Sequence, residues 1–209
     1  MSYTQLKSDV TDWMHRDDLD SQMDTFTLLT ESALNKELRV MEQEVILDMS
    51  FTDAYTDLPS DYLETRDLYV DFSGARCTLE QITPKQLNTR YSRAQGRVRA
   101  YAIHGGQIEL RPSPNATEPT TGKWSYYARI PSLPVGAGPG PGPGGPYTTN
   151  DILDNYPLLY LSGMLFQANS YVQDAEEQAK WGAIFNEQLR TANKSAGDGR
   201  YSRPSVRIV

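Results

Sequence analysis

The sequence predicts an α+β protein, an antiparallel helical bundle with an inserted small antiparallel β unit and an extended C-terminal arm. Three observations support this fold class. Apolar residues recur at helical spacing near both ends of the chain, they alternate with a period of two through the middle, and the last residues show neither period. With 209 residues, the chain is long enough for one large domain or two small ones.

The first segment, residues 1–46, is predicted to form a helical hairpin of the bundle. Ser2 stands three residues before a glutamine, which is the spacing of a capping box at a helix start. A second helical period runs for about twenty residues, from Met23 to Met41. The apolar positions that define the first helix are Leu6, Val10, Trp13 and Met14.

The charge of the chain is acidic overall and unevenly placed. The formal net charge is −7, and residues 1–47 hold four basic and ten acidic groups, a net of −6. Residues 190–209 hold five basic groups against Asp198, a net of +4. Because a negative surface repels the phosphate backbone, this distribution disfavours binding to DNA through a positive field over the whole surface.

Residues 47–133 are predicted to form the β insertion, with four to six strands. Apolar and polar residues alternate from Val45 onward, and Thr83-Pro84 opens a short helix. The clearest hairpin signal is the turn His104-Gly105-Gly106 between two apolar runs. Further strands are predicted at residues 67–72 and 124–130.

The Pro/Gly-rich segment 134–149 is predicted to be a linker. Glycine recurs there at every second residue, whereas a collagen helix requires it at every third. Residues 150–193 then return to a helical period and are predicted to be the C-terminal helices of the bundle, with Gly163 allowing close helix approach. Residues 194–209 are predicted to be an extended arm, which at full extension reaches roughly 50 Å.

Several kinds of site are disfavoured by the composition. Cys77 is the only cysteine, so no disulfide within the chain and no Cys/His zinc cluster can form. The two histidines, His15 and His104, do not stand near a nucleophilic serine motif. We therefore expect no catalytic residues, no metal and no cofactor. No apolar run is long enough for a signal sequence or a membrane span, which predicts a cytoplasmic, non-membrane protein.

Two basic segments are candidates for contact with a partner. The first contains Arg90, Arg93, Arg97 and Arg99, for which a solvated strand edge is the alternative interpretation. The second is the tail, in which arginines alternate with apolar residues that have no use in solvent. Strand addition to a partner's sheet edge would use such a pattern, and a disordered end is the alternative. The tail residues concerned are Arg200, Tyr201, Arg203, Val206, Arg207 and Ile208.

Five short segments carry a resemblance to a known family through their order and spacing. They are residues 31–39, 58–64, 101–112, 126–131 and 156–163, the last with Trp181 downstream. In this order they resemble the head-to-tail adaptor, or connector, proteins of short-tailed bacteriophages over nearly the whole length. The Pro/Gly tract departs from that pattern and resembles an insertion before the C-terminal helices.

The resemblance implies a structural virion protein that is not an enzyme. Such adaptors form a ring, here expected to be a dodecamer, between the portal protein and a tail or nozzle protein, assembled in the host cytoplasm. The ring extends the channel that double-stranded DNA crosses during genome ejection, without binding DNA specifically. The arm residues named above would dock on the portal. The arginines of residues 90–99 would contact neighbouring subunits or the tail.

The sequence is also compatible with two other functions. A non-enzymatic, host-interacting cytoplasmic binding module would also lack catalytic residues, but it would not bind a portal. An acid-pair hydrolase of cell-wall polymers could use carboxylates such as Glu64, Asp67 and Asp71, although no spacing in the sequence requires it.

Overall fold

The computed structural model describes residues 1–72, 74–115, 120–134 and 148–200. The chain divides into two compact units. A helical unit consists of Met1–Gln43 and Arg129–Val209, and a β unit consists of Glu44–Ala128. The second unit is therefore inserted between the two segments of the first.

The helical unit contains five of the six α-helices found among the described residues, and α3 belongs to the β unit. A short 3-10 helix precedes α2, and another, Met41–Gln43, precedes the first strand. The α-helices are α1 (Tyr3–Met14), α2 (Met23–Glu37), α3 (Pro84–Arg90), α4 (Asp151–Asn155), α5 (Pro157–Val172) and α6 (Ala175–Arg200).

The β unit contains eight strands in two sheets. One sheet has the order β1-β8-β3-β4 and the other β2-β7-β6-β5, and every pairing is antiparallel except the short parallel pair β5 and β6. The strands are β1 (Glu44–Phe51), β2 (Tyr55–Asp57), β3 (Tyr62–Phe72), β4 (Ala75–Thr78), β5 (Glu80–Gln81), β6 (Ala100–His104), β7 (Gln107–Arg111) and β8 (Thr120–Ala128).

The predicted architecture, mainly a helical bundle with a small β insertion and an extended arm, is wrong. The described residues form two four-stranded sheets and six α-helices, so the β part is as substantial as the helical part and only the mixed α+β class fits loosely. The sequence pattern underestimated the sheets because β2 and β5 have three and two residues. Strands that short show no measurable alternation.

The start of α1 agrees with the sequence prediction, whereas the end of α2 does not. The Ser2 hydroxyl accepts a hydrogen bond from the Gln5 N–H at 3.1 Å, which confirms the predicted cap. The second helix ends at Glu37, before the predicted Met41, because Leu38 adopts an extended conformation. Met41 is 59% exposed, and Trp13, predicted on the buried face of α1, is 58% exposed.

Helix α5 is the centre of the helical unit and packs against α1, α2, α4 and α6. Gly163 lies where α5 meets α2 and α6, since a Cβ there would come within 2.4 Å of the Thr30 side chain and 3.0 Å of Phe185. This confirms the expected close approach at Gly163. Pro157 begins α5 and separates it from the short α4, so the apolar run holds two helices.

Polar side chains inside the helical unit hold the chain that returns from β8. Glu31 on α2 accepts a hydrogen bond from the Leu133 N–H at 2.9 Å, and Asn35 accepts one from Ile130 at 2.9 Å. The Tyr160 hydroxyl on α5 also donates to Glu31, at 3.4 Å. Because Glu31 is only 3% exposed, burial raises the pKa of its carboxyl, and the hydrogen bond from Leu133 opposes this only in part.

The residues that flank the Pro/Gly tract are close in space. The Asn150 amide donates a hydrogen bond to the Pro131 carbonyl at 3.0 Å, and Tyr3 donates one to Thr148 at 2.6 Å. Both flanks belong to the helical unit. Of the predicted linker 134–149, residues 135–147 lie outside the described residues.

The last helix continues beyond its predicted end. Residues 194–200, expected to be part of an extended arm, form the final turns of α6. Ala192 and Ala196 are buried four residues apart, so the helix remains packed where the sequence shows only small residues. At the same level, Asn193 accepts a hydrogen bond from the Arg39 N–H at 2.8 Å. The rest of the predicted arm, residues 201–209, lies outside the described residues.

The two sheets of the β unit share one apolar core. Phe51, Leu68 and Trp124 enter it from one sheet, and Ile108 and Leu110 enter it from the other. The predicted alternation of β1, the short helix at Thr83-Pro84 and the hairpin at Gly105-Gly106 are confirmed. Both turn glycines have positive φ, of 60° and 79°, a conformation that favours glycine.

A buried ion pair lies on the other face of β7. Glu109 and Arg111 contact each other, and each side chain is less than 5% exposed. The carboxylate also accepts a hydrogen bond from Tyr55 at 3.1 Å, and His104 lies 2.9 Å away. Burial alone would raise the pKa of Glu109, but the His104 hydrogen bond and the Arg111 charge outweigh it and hold the pKa below 4.5.

We expect Glu31→Gln to raise the free energy of unfolding above pH 5 relative to the unsubstituted protein. The folded pKa of Glu31 lies above the unfolded value, so its contribution is full below that value and is lost as pH rises through the folded pKa. Urea unfolding at several pH values measures this. Glu31→Ala is the comparison, since it also removes the titrating carboxyl but leaves the Leu133 N–H unpaired, which should make it about 1–3 kcal/mol less stable than Glu31→Gln at every pH. An equal pH dependence in the Gln variant would contradict the assignment.

We expect Glu109→Gln to destabilise the β unit by about 3–5 kcal/mol, because Arg111 keeps its buried charge without a counter-charge. The stabilisation from Glu109 is present at neutral pH and is lost as pH falls through its lowered folded pKa. The control is the double variant Glu109→Leu with Arg111→Met, which removes both charges and is expected to lose far less stability. Chemical denaturation followed by tryptophan fluorescence measures both, and equal losses would show that the charges are not coupled.

Candidate interaction surfaces

The first predicted contact surface is the arginine segment, residues 90–99, in the β unit. The structure brings two of its four arginines near Glu80 of β5. The Arg90 guanidinium lies 3.8 Å from the Glu80 carboxylate, and the Arg99 carbonyl accepts a hydrogen bond from the Glu80 N–H at 3.2 Å. The side chains of Arg90, Arg93, Arg97 and Arg99 are all exposed, so the segment presents several positive charges at the surface.

Two arginines of the β unit are held over aromatic rings. The Arg97 guanidinium lies 4.6 Å from the centre of the Phe72 ring and donates a hydrogen bond to the Cys77 sulfur at 2.8 Å. The Arg76 guanidinium lies 4.8 Å from the centre of the Tyr69 ring. Stacking fixes a guanidinium without neutralising its charge, so both groups remain available to an anionic partner. The sequence predicted a role for Arg97 but not for Arg76.

The second predicted contact surface is the basic tail. Arg200 is the last residue of α6, and the other tail residues, Tyr201, Arg203, Val206, Arg207 and Ile208, lie outside the described residues. Their contacts therefore stay a prediction. The helix that carries the tail is anchored by the buried side chains of Leu189 and Ala196.

An acidic surface lies in the segment between α1 and α2. Asp17, Asp18 and Asp20 are exposed there, and only Asp18 forms an ion pair among the described contacts, with Arg16 at 2.6 Å. The hydrogen bond from Arg16 lowers the pKa of the Asp18 carboxyl, so this group is ionised at neutral pH. The structure thus keeps on the surface the negative charge that the sequence places in residues 1–47.

Two exposed aromatic side chains in the helical unit were not predicted from the sequence as contact residues. Trp13 is 58% exposed although its ring packs edge to face on Trp181 at 5.2 Å. Tyr171 is 57% exposed and packs in the same manner on Phe26 at 5.7 Å. Tryptophan and tyrosine are enriched at protein interfaces. A helical period alone could not identify them, because it places Trp13 on the buried face.

A further surface is the unpaired edge of β1, which in the described part of the chain pairs on one side only, with β8. Its inner face carries Leu47 and Met49, which pack on the core of the β unit. Ile46, on the outer face, is 63% exposed. The alternation was visible in the sequence, but the position of β1 at a sheet edge depends on strand order.

Within residues 1–72, 74–115, 120–134 and 148–200, no three His, Cys, Asp or Glu side chains converge in a way that could hold a metal ion. No helix in this part of the chain is long and apolar enough to cross a membrane.

Comparison with known proteins gives one match, to the family described as SU10 adaptor protein, and the match extends over residues 1–208. No curated protein matches the chain. Adaptors of this kind are structural components of the phage particle, located at the interface of head and tail and in contact with portal and tail proteins. Because the match covers nearly the entire chain and agrees with the resemblance found in the sequence, this protein belongs to the SU10 adaptor protein family.

Proposed function

We propose that this adaptor assembles as a ring of twelve copies between the portal and the tail and extends the DNA channel. The observation that carries the proposal is the family match over residues 1–208. The exposed surfaces support it, because a ring subunit needs contact surfaces on several sides. Exposed aromatic residues and an acidic surface lie on the helical unit, and an arginine-bearing surface lies on the β unit.

In this proposal the C-terminal arm docks on the portal. The docking residues are those predicted from the sequence, with apolar members filling grooves and arginines meeting acidic groups. Ordering a flexible segment costs about 1–2 kcal/mol per residue, so a stable dock requires many simultaneous contacts, which a ring provides. The residues are Arg200, Tyr201, Arg203, Val206, Arg207 and Ile208.

The arginine segment of the β unit is proposed to contact a neighbouring subunit or a tail protein. Arg93 and Arg99 are the best candidates, since neither forms an ion pair within the described residues. Arg97 is already oriented by Phe72 and Cys77, so contact with a carboxylate would need little reorganisation.

The acidic surface of the helical hairpin is proposed to face the channel. Like charges repel, so carboxylates such as Asp17 and Asp20 would keep the DNA phosphates from binding tightly and let the duplex slide. The negative charge of residues 1–47 supports this arrangement. In this proposal double-stranded DNA passes through the channel without being bound specifically.

Deleting residues 201–209 tests portal docking. The truncation stops at the end of α6, so the helical unit is expected to fold normally. We expect co-sedimentation with portal rings to fall at least tenfold, because the arm supplies the docking contacts. The matched control is Ser202→Ala with Ser205→Ala, which changes the arm without removing its charged or apolar side chains. Unchanged portal binding by the truncated protein would refute the role of the arm.

Reversing the charge of the acidic surface tests its place in the channel. We expect portal-bound rings with Asp17→Lys and Asp20→Lys to retain duplex DNA at low salt, with retention that falls steeply as salt rises. Asp53→Lys with Asp71→Lys makes the same charge change in the β unit and serves as the control. Retention measured by filter binding should differ between the two pairs. Equal retention would place the hairpin surface away from the DNA.

A further inference from the structure

The outer edge of β1 offers a place for another strand. β1 pairs with β8 from Glu44 to Phe51 without a shift in register, and in the described part of the chain no strand lies on its other side. In an antiparallel sheet, every second residue of an edge strand directs its N–H and C=O groups outward. Between Val45 and Phe51, β1 therefore presents a row of backbone donors and acceptors to a partner.

This edge lacks the features that usually protect such strands. Proteins block open edges with lysine, proline, bulges or very short strands, and residues 45–51 contain none of these across seven consecutive positions. The single charged side chain in that stretch is Asp48, which lies 3.0 Å from Lys123 of β8. An edge of this length and regularity is a typical template for strand addition.

The two faces of β1 determine what can pair with it. Leu47 and Met49 point toward the core of the β unit, whereas Ile46, Asp48 and Ser50 point to solvent. A matching strand needs apolar side chains beside Leu47 and Met49. It also needs a cation beside Asp48 and an apolar side chain beside Ile46, since directly opposed residues share a face of the sheet.

We propose that residues 205–209 of a second copy of this chain add to β1 as an antiparallel fifth strand of its sheet. The segment reads Ser-Val-Arg-Ile-Val and follows the end of α6 by only a few residues. Pro204 has no N–H and cannot extend the pairing, so the added strand begins at Ser205. The opposed pairs are Ser205 with Ser50, Val206 with Met49, Arg207 with Asp48, Ile208 with Leu47 and Val209 with Ile46.

The antiparallel direction fits better than the parallel one. With Arg207 opposite Asp48, both directions put Val206 and Ile208 on the core face. Only the antiparallel strand places Val209 over the exposed Ile46, while a parallel strand would place Ser205 there and Val209 beside Ser50. The antiparallel direction therefore covers the apolar side chain that β1 leaves in solvent.

A second copy is the occupant because the edge and the segment occur on every chain. When the arm of each copy adds to β1 of the next, the contact joins two different surfaces and can close into a ring. One arm cannot lie on β1 and on the portal at once. Strand addition thus describes the adaptor before it meets the portal, and it holds whether or not portal docking is correct.

Site-specific disulfide formation tests this register without portal present. In a Cys77→Ser background, chains with Asp48→Cys are mixed with chains with Arg207→Cys under mild oxidation, and linked peptides are identified by mass spectrometry. We expect the 48–207 link between chains, and a second link when Ser50→Cys is mixed with Ser205→Cys. The control mixes Asp48→Cys with Ser202→Cys, which lies before Pro204, and is expected to give at least tenfold less product.

A second measurement uses variants of the arm, which leave β1 intact. Val206→Asp with Ile208→Asp places charge on the core face of the added strand and should lower self-association at least tenfold by sedimentation. Ser195→Asp with Ser202→Asp adds the same charge at two positions before Pro204, outside the added strand, and should leave self-association unchanged. Equal disulfide yields at all positions, no 48–207 link between chains, or equal effects of the two Asp pairs would overturn the proposal. Portal co-sedimentation is a separate readout, so either proposal can fail alone.

Discussion

Hydrogen bonds between α2 and the chain that follows β8 join the two segments of the helical unit, Met1–Gln43 and Arg129–Val209. The chain that leaves β8 brings backbone N–H groups into an apolar interior, and Glu31 and Asn35 accept two of them. An unsatisfied donor there would cost about 1–3 kcal/mol. At the C-terminal end of α2, Asn193 of α6 bonds to Arg39 and Glu37. Helix α2 thus positions both the entry and the last helix of the C-terminal segment.

The elements that were predictable from sequence have local causes. The Ser2 cap, the Thr83-Pro84 helix start and the Gly105-Gly106 turn each depend on residues a few positions apart. Strand order, by contrast, depends on pairings such as β1 with β8 that join distant parts of the chain. For this reason the alternation of β1 was correctly predicted while the number and size of the sheets were not.

Burial on both faces of β7 was also not predicted from the sequence. In β7, Ile108 and Leu110 alternate with Glu109 and Arg111, a pattern typical of a strand with one solvated face. The structure buries both pairs, and the charged pair is tolerated because the two side chains neutralise each other. Arginine clusters in residues 90–99 were visible in the sequence, whereas the Phe72 ring that orients Arg97 comes from β3, which is distant along the chain. The Tyr69 ring under Arg76 comes from the adjacent strand of the β3–β4 pair.

The continuation of α6 to Arg200 changes how the arm can act. Leu189, Ala192 and Ala196 are buried, so the base of the proposed arm is fixed on the helical unit. A segment tethered at a fixed point reaches a nearby surface at high effective concentration, so ordering it costs less than free association of a peptide. The ordering entropy of nine residues is still about 9–18 kcal/mol at 1–2 kcal/mol each. In the proposed strand addition, five backbone-paired residues with two buried apolar side chains would offset only part of that cost, and repeated contacts around a ring would supply the rest.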